Sequence, residues 1–315
     1  MTDNGVLSVV IPTYNRQEVL RRTLSGYLEQ TSLDLIREIV VVDDGSTDET
    51  RSVVEQMRQV SAFPIQYCWQ TNSGPAAARN RGMERVTTPL ALFADDDMIP
   101  HPDLVATHAR QHQQNPELSV AVLGRVKWWP ELRPTPFMEW YGNAGPLFAF
   151  GQFRKNRELD FQYFYSCNLS LKTRFFTAFG RFDEGFHMAA YEDTELGFRL
   201  SKAGLRLLYS PQAVAYHYQF FTFAEACRKT GQAATARERF LQTEAGSHFL
   251  ERRRERESSL ACRLGRPLAA WIFRPATALL DSRIPLPSLI YRSLFWYYTS
   301  ARATSSERIA QAARS

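Results

Sequence analysis

Three acidic clusters carry the chemistry this sequence could do, and each lies at the edge of an apolar segment. Asp95-Asp96-Asp97 follows the run Leu90-Ala91-Leu92-Phe93. Asp95 and Asp97, one residue apart at a strand end, can share one hard divalent cation, Mg2+ or Mn2+, through oxygen ligands. That cation would bridge nucleotide phosphate oxygens and offset charge on a departing diphosphate. Asp96, between them, points elsewhere. A D-x-D pair is weak by itself, and a solvated turn capping the next helix is its simpler explanation. Asp43-Asp44-Gly45-Ser46-Thr47-Asp48 is superficially a calcium loop. It fails the EF-hand pattern, because glycine stands at the third position rather than the sixth and no glutamate stands at the twelfth. A carboxylate here can instead accept a hydrogen bond from a nucleobase N–H or a ribose hydroxyl, with Gly45 allowing close backbone approach.

The third cluster, Tyr191-Glu192-Asp193-Thr194-Glu195, opens an amphipathic helix. Acidic residues in a first turn are favoured by the helix dipole, which explains all three without function. Alternatively, one carboxylate faces a cleft and takes a proton from an acceptor hydroxyl. Glu192 and Asp193 point about 100° apart on a helix and cannot share one job. His217 ends the run Val214-Ala215-Tyr216 and is either structural or the completing group of a metal shell.

These residues need elements to hold them. Apolar runs at Leu7–Ile11, Glu38–Val42, Ile65–Trp69 and Leu90–Phe93 predict strands. Helical spacing at Val19–Gln30, from a Thr47 or Asp48 cap to Val60, and over Gly74–Val86 predicts the helices between them. Fully apolar strands alternating with helices define an α/β fold with a mostly parallel sheet covered on both faces. Ligands of such sheets bind beyond the carboxyl ends of the strands. There the chain places Thr13-Tyr14-Asn15-Arg16, Asp43-Asp44-Gly45-Ser46, Asn72-Ser73-Gly74 and Asp95-Asp96-Asp97 on one rim. Neither a G-x-G-x-x-G nor a P-loop follows strand one, which disfavours dinucleotide binding and excludes a P-loop NTPase. Further on, Asn168–Leu171 reads as a strand, Thr173–Phe179 and Tyr191–Ala203 as helices, and Leu205–Tyr209 and Ala213–His217 as two strands. Between Lys127 and Tyr165 the pattern gives way to aromatic residues and prolines. This stretch is either a platform for sugar rings or a lipid-linked acceptor, or a loop-rich core built from large rings.

The 315 residues have 44% hydrophobic and 23% charged composition, ordinary for a globular chain and unlike a disordered or collagenous one. Four scattered cysteines without C-x-x-C exclude a zinc ribbon and read as reduced, intracellular thiols. No signal-peptide pattern and no long uncharged apolar window is present, so a cytoplasmic location is expected, with no transmembrane helix. From Phe220 onward there are 16 Arg and Lys against 8 Asp and Glu, and before it 22 against 25. The basic tail, with Trp271, Tyr291, Trp296, Tyr297 and Tyr298, could rest on anionic lipid at the inner membrane face. The run Arg252–Glu257 is equally a solvated helix face with i,i+4 pairs.

Taken together, the segments resemble family 2 glycosyltransferases of the GT-A fold over roughly residues 6–220. The resemblance rests on Val9-Val10-Ile11-Pro12-Thr13-Tyr14-Asn15-Arg16, Val42–Asp48, Asn72–Asn80, Phe93–Asp97 and Glu192-Asp193-x-Glu195-Leu196-x-x-Arg199, in that order. It implies a Rossmann-like GT-A domain over 1–219, with a nucleotide half to residue 100 and an acceptor half after it, plus a mainly helical basic extension over 220–315. It further implies that Pro12, Thr13, Asn15, Asp44 and Arg79 surround the nucleotide, with Asp44 taking the base. Asp95 and Asp97, with Asp96 between them, serve ribose, diphosphate and an Mn2+ or Mg2+ ion. Asp97 is the firmer ligand and His217 a third. Such enzymes invert the anomeric centre by direct displacement, with Asp193 as base and Glu192 as the alternative. The implied partners are a UDP- or GDP-sugar donor and a glycan or lipid-linked acceptor in cell-surface polysaccharide synthesis, with no nucleic acid. The competing expectations are a sugar nucleotidyltransferase and a non-catalytic nucleotide-sugar-binding subunit.

Overall fold

The computed structural model describes residues 5–154, 157–257 and 274–299, without the side chains of 252–257 and 274. It divides into two compact units, one of residues 1–129 and 153–219, the other of 130–152 and 220–315. Residues 130–152, placed in the acceptor half by the sequence analysis, therefore group with the C-terminal unit.

The first unit is built on one nine-stranded sheet of order β3-β2-β1-β4-β8-β6-β9-β5, with β7 also pairing β9. Its strands are β1 Leu7–Thr13, β2 Ile36–Asp43, β3 Ile65–Trp69, β4 Leu90–Ala94, β5 Met98–Pro100, β6 Val120–Trp128, β7 Glu158–Leu159, β8 Asn168–Lys172 and β9 Arg206–His217. β3, β2, β1 and β4 run parallel, in keeping with the mainly apolar runs of β1, β2 and β4. β8 then enters antiparallel to both β4 and β6. The helices are α1 Gln17–Leu28, α2 Thr50–Val60, α3 Pro75–Met83, α4 Leu104–Gln114, α6 Thr173–Phe179 and α7 Glu192–Lys202. The two strands expected over Leu205–His217 are one strand. Both halves of β9 pair with β6, and only a register shift opposite Gly124/Arg125 separates them.

α3 is unusual in burying nearly all of its residues, Arg79 and Asn80 among them. Its alanines let it lie flush on β1 and β2, and a side chain at Gly82 would collide with Val10. That close seat takes Arg79 out of water. On α4, the buried His108 and His112 face Asn168, Ser170 and Lys172, alternate residues on one face of β8. Lys172 Nζ donates to His112 Nδ1 at 2.9 Å, and His112 Nε2 meets Ser170 Oγ at 2.8 Å. Ser170 Oγ lies 2.7 Å from His108 Nδ1, and His108 Nε2 lies 2.9 Å from Asn168 Oδ1. Because the lysine donates to His112 Nδ1, that imidazole is neutral with its proton on Nε2, directed at Ser170 Oγ, and burial favours the neutral form of His108.

The second unit contains α5 Pro136–Asn143, α8 Phe223–Gln232, α9 Ala234–Leu241 and α10 Glu244–Glu257, with a further helix at 288–299. Phe137 packs against Trp140, Tyr141, Phe223 and Tyr291. Of the two readings of the aromatic stretch, the core is therefore the role of Phe137, Trp140 and Tyr141. Tyr291 is buried in the same core, whereas Tyr297 is exposed. Trp271, Cys262 and the side chains of Arg252–Glu257 lie outside the described residues. Cys68, Cys167 and Cys227 are buried. Among the described residues no helix is long and apolar enough to cross a membrane.

Burial pushes the pKa of His108 down to about 4 and that of His112 also well below its ordinary value of 6.5. The folded state thus binds fewer protons than the unfolded chain. The associated stability is full above about pH 6.5 and is lost as the pH falls toward 4. The melting temperature should fall between about pH 7 and pH 4.5, and the slope should be shallower in a His108→Gln/His112→Gln double variant. Equal slopes would contradict the assignment.

Candidate active site

The site forms at the carboxyl ends of the parallel strands, and glycine geometry shapes its first wall. Gly74 has φ +91° and precedes Pro75, the first residue of α3. A side chain there would meet the backbone of His187 at 2.9 Å. Asp44 closes this loop by accepting from Gln70 Nε2 at 2.7 Å and from the N–H groups of Ser73 and Gly74, each at 2.8 Å. A carboxylate offers about four acceptor positions, and these three donors leave one of them unused. Asp43, which the sequence analysis did not single out from Asp44, takes Tyr67 OH at 2.6 Å and Ser46 N at 2.8 Å.

The loop after β1 follows Pro12, the penultimate residue of that strand, and is stapled to its neighbour. Asn15, at φ +52°, donates its N–H to Ser46 Oγ at 2.8 Å and accepts from Thr47 N at 2.7 Å. Thr13 donates to Asp96 Oδ2 at 2.8 Å.

The three successive aspartates meet different sets of partners, with Arg16 shared by Asp96 and Asp97. Asp95 meets Arg79 Nη2 at 2.7 Å. Asp96 is buried under Thr13 and lies 3.2 Å from Arg16 Nη1. Asp97 Oδ2 meets Arg16 Nη2 at 2.9 Å and His217 Nε2 at 3.2 Å. Strand pairing explains the last contact, since Met98 on β5 is opposite His217 on β9. His217 is also stacked on Trp128. Burial pushes Asp96 up to about 7, reinforced by the charge of Asp97 and opposed by Arg16. Burial would raise Asp97 as well, but His217 and Arg16 hold it below the usual carboxylate range. Of the Asp96–Asp97 pair, Asp97 thus holds its negative charge the more firmly.

On the other wall, Tyr191 holds φ +69° and turns the chain sharply into α7. Glu192 follows, 3% exposed, with Oε1 3.0 Å from Arg79 Nη1. Arg79 expends both terminal nitrogens on Asp95 and Glu192 and lies over the Phe182 ring. Asp193 is held differently. Its Oδ2 accepts from Ser166 N at 2.9 Å, while its buried Oδ1 has no hydrogen-bond partner among the described residues. Burial raises the pKa of Glu192, with the Asp193 charge adding and Arg79 opposing. Burial likewise raises Asp193, against Arg79 and Ser166. The walls converge at Cys167, whose buried thiol is pushed up by burial and then by Asp95, Asp193 and Asp97. The sequence did not single out Ser166, Cys167 or Arg16. Arg16 lies in the motif that follows β1, while Ser166 and Cys167 fall between the aromatic stretch and β8 and carry no signal of their own.

Asp97 and His217 meet, whereas Asp95 turns to Arg79. Among the described residues no group of three or more His, Cys, Asp or Glu forms a ready metal cage. The donors still fit Mn2+ or Mg2+, ions that bind through one or two carboxylates and complete their shell with substrate phosphates. A guanidinium already occupies the cationic position on Asp97 Oδ2, so the oxygen is placed to receive positive charge.

Solved structures share this architecture. The mannosyltransferase PcManGT from Pyrobaculum calidifontis superposes with a TM-score of 0.61 at 20% identity, covering 95% of this chain and 86% of that one. S. aureus TarS 1-349 gives 0.55 at 17% identity, covering 96% and 91%. The fold is GT-A. The sequence matches the family model described as Glycosyl transferase family 2 over residues 8–179, and the chain belongs to that family. Validoxylamine A glucosyltransferase from Streptomyces hygroscopicus subsp. limoneus is 31% identical over 244 residues, 66% of this chain and 50% of that protein. Chondroitin synthase from Escherichia coli is 26% identical over 243 residues, 68% of this chain and 34% of that protein. The chain thus spans half the length of the first relative and less of the second.

Replacing Arg79 by Met strips the buried Glu192 and the partly exposed Asp95 of their shared counter-charge, which should cost about 3 kcal/mol in urea unfolding. Adding Glu192→Gln should recover part of that loss, and strict additivity of the two changes would rule out the pair.

Proposed function

We propose that this chain is an inverting glycosyltransferase that moves a sugar from a nucleotide donor to an acceptor hydroxyl. The observation that carries this reading is the unequal commitment of two adjacent carboxylates. Glu192 is locked onto Arg79, whereas Asp193, whose charge Arg79 feels beside those of Asp95 and Glu192, is held through Ser166 and keeps one oxygen without a hydrogen bond. Asp193 is therefore the base. It takes the acceptor O–H proton as the acceptor oxygen bonds to the anomeric carbon. The bond from that carbon to the donor diphosphate breaks, its electron pair leaving with the diphosphate oxygen. Entry opposite the leaving group inverts the centre. Asp97, with His217 and Asp95 beside it, would hold Mn2+ or Mg2+, which when bound supplies Lewis-acid neutralisation of the diphosphate. Asp44 keeps an acceptor position for a base N–H, and Thr13, Asn15 and Pro12 line the same rim.

A UDP- or GDP-linked donor is supported by two solved neighbours, PcManGT in complex with GDP-Man and Mn2+ and TarS 1-349 in complex with UDP. A glycan or lipid-linked acceptor, and a place in surface polysaccharide synthesis, accord with relatives such as chondroitin synthase. Action at the cytoplasmic membrane face through the basic extension belongs to the same reading. It requires salt-sensitive co-sedimentation of the full chain with anionic vesicles, and salt-independent or absent binding would remove it.

Asp193→Asn should reduce transfer by about 10²–10⁴-fold while leaving UDP or GDP binding nearly intact by calorimetry. Because burial raises the Asp193 pKa, protonation should silence the base early as the pH falls. The acid limb of kcat/KM should then lie above the ordinary aspartate value of about 4. Unchanged turnover in the variant would remove Asp193 from this role.

A further inference from the structure

Arg16 is a charged group at the rim to which the reaction gives no task. Its terminal nitrogens span Asp96 Oδ1 at 3.2 Å and Asp97 Oδ2 at 2.9 Å. The second oxygen is the one that His217 approaches. A divalent cation bound there and a guanidinium in contact with the same oxygen would repel each other at close range. One of them must leave.

The two arginines of the site differ in their freedom to do so. Arg79 has a side chain 4% exposed and is gripped from both ends. The Arg16 side chain is 35% exposed, and its backbone is anchored through the hydrogen bonds of Asn15 to Ser46 and Thr47. The loop can thus stay in place while the side chain swings. Asp96 does not depend on Arg16 either, since Thr13 still donates to it and Thr23 holds its backbone carbonyl.

We propose that Arg16 is a resident counter-cation of the Asp96–Asp97 pair, displaced from Asp97 when a divalent cation enters and then free to pair with the diphosphate of the donor. The proposal rests on the reading of Asp97 as the cation ligand. Displacement works against binding of the metal alone, and the new arginine–diphosphate contact offsets that cost once nucleotide is present. Cation and nucleotide are then thermodynamically coupled through one side chain.

Mn2+ alone, titrated into the full chain and followed by the electron paramagnetic resonance of free ion, tests this without turnover. Arg16→Gln should bind Mn2+ about three- to tenfold more tightly than wild type, and Asp97→Asn should lose binding. Arg22→Gln is the control. That guanidinium lies 4.9 Å from the ring centroid of Tyr218, next to His217 in sequence, and it should leave the affinity near wild type. Equal or weaker binding by Arg16→Gln, with Asp97→Asn still defective, would overturn the proposal alone, as would equal tightening in both arginine variants. Wild-type binding by Asp97→Asn would overturn the cation-site reading itself. Should Arg16→Gln fail to fold by thermal melting, Arg16→Lys, which cannot span both carboxylates, must tighten binding in the same direction, and no change would be decisive against the idea.

Discussion

The site depends on one buried guanidinium. Arg79 reaches Asp95, 16 residues away, and Glu192, 113 residues away, so a single side chain joins the strand-end carboxylates to the first turn of α7. Removing an arginine from water is costly unless its donors are satisfied by opposite charge. The flush seat of α3 on β1 and β2 imposes that cost, and the two carboxylates compensate it. Their positions follow as a consequence. Because Glu192 is committed to the arginine, the proton-accepting role in the proposed reaction falls to Asp193, whose second oxygen is held by the backbone of Ser166.

The same logic separates three aspartates that are chemically identical in the sequence. They leave the end of β4 in succession and meet different surroundings: an arginine for Asp95, a buried hydroxyl for Asp96, a histidine and a second arginine for Asp97. Burial favours the neutral form at each buried position, and the local cations decide where the negative charge stays. In the proposed mechanism that charge, on Asp97, receives the cation, while Asp193 works from the other wall.

The half of the fold that was legible is the half whose strands are buried on both faces. Their apolar runs end abruptly in polar residues, and the sequence pattern alone places Thr13, Asp44, Gly74 and Asp95–Asp97 on one rim. The same pattern does not mark α4 or β6. α4 buries His108 and His112, polar residues that break the apolar periodicity on which such readings rely. The meeting of Asp97 with His217 depends on the three-residue strand β5 finding β9, a long-range register that composition does not encode. Arg79 was expected at the nucleotide, and its double ion pair with Asp95 and Glu192 is a tertiary fact with no local signature. In the aromatic stretch, Phe137, Trp140 and Tyr141 look alike whether they stack on a ligand or on each other, and only packing against Phe223 and Tyr291 distinguishes the two.

The account is tested most directly by the anomalous scattering of Mn2+ in crystals grown with UDP, and separately with GDP. The predicted result is a manganese peak bonded to a carboxylate oxygen of Asp97 and to the diphosphate, with the free oxygen of Asp193 facing the sugar position from the opposite side. A peak remote from Asp97 with nucleotide bound, or Asp193 on the same side as the diphosphate, would contradict it.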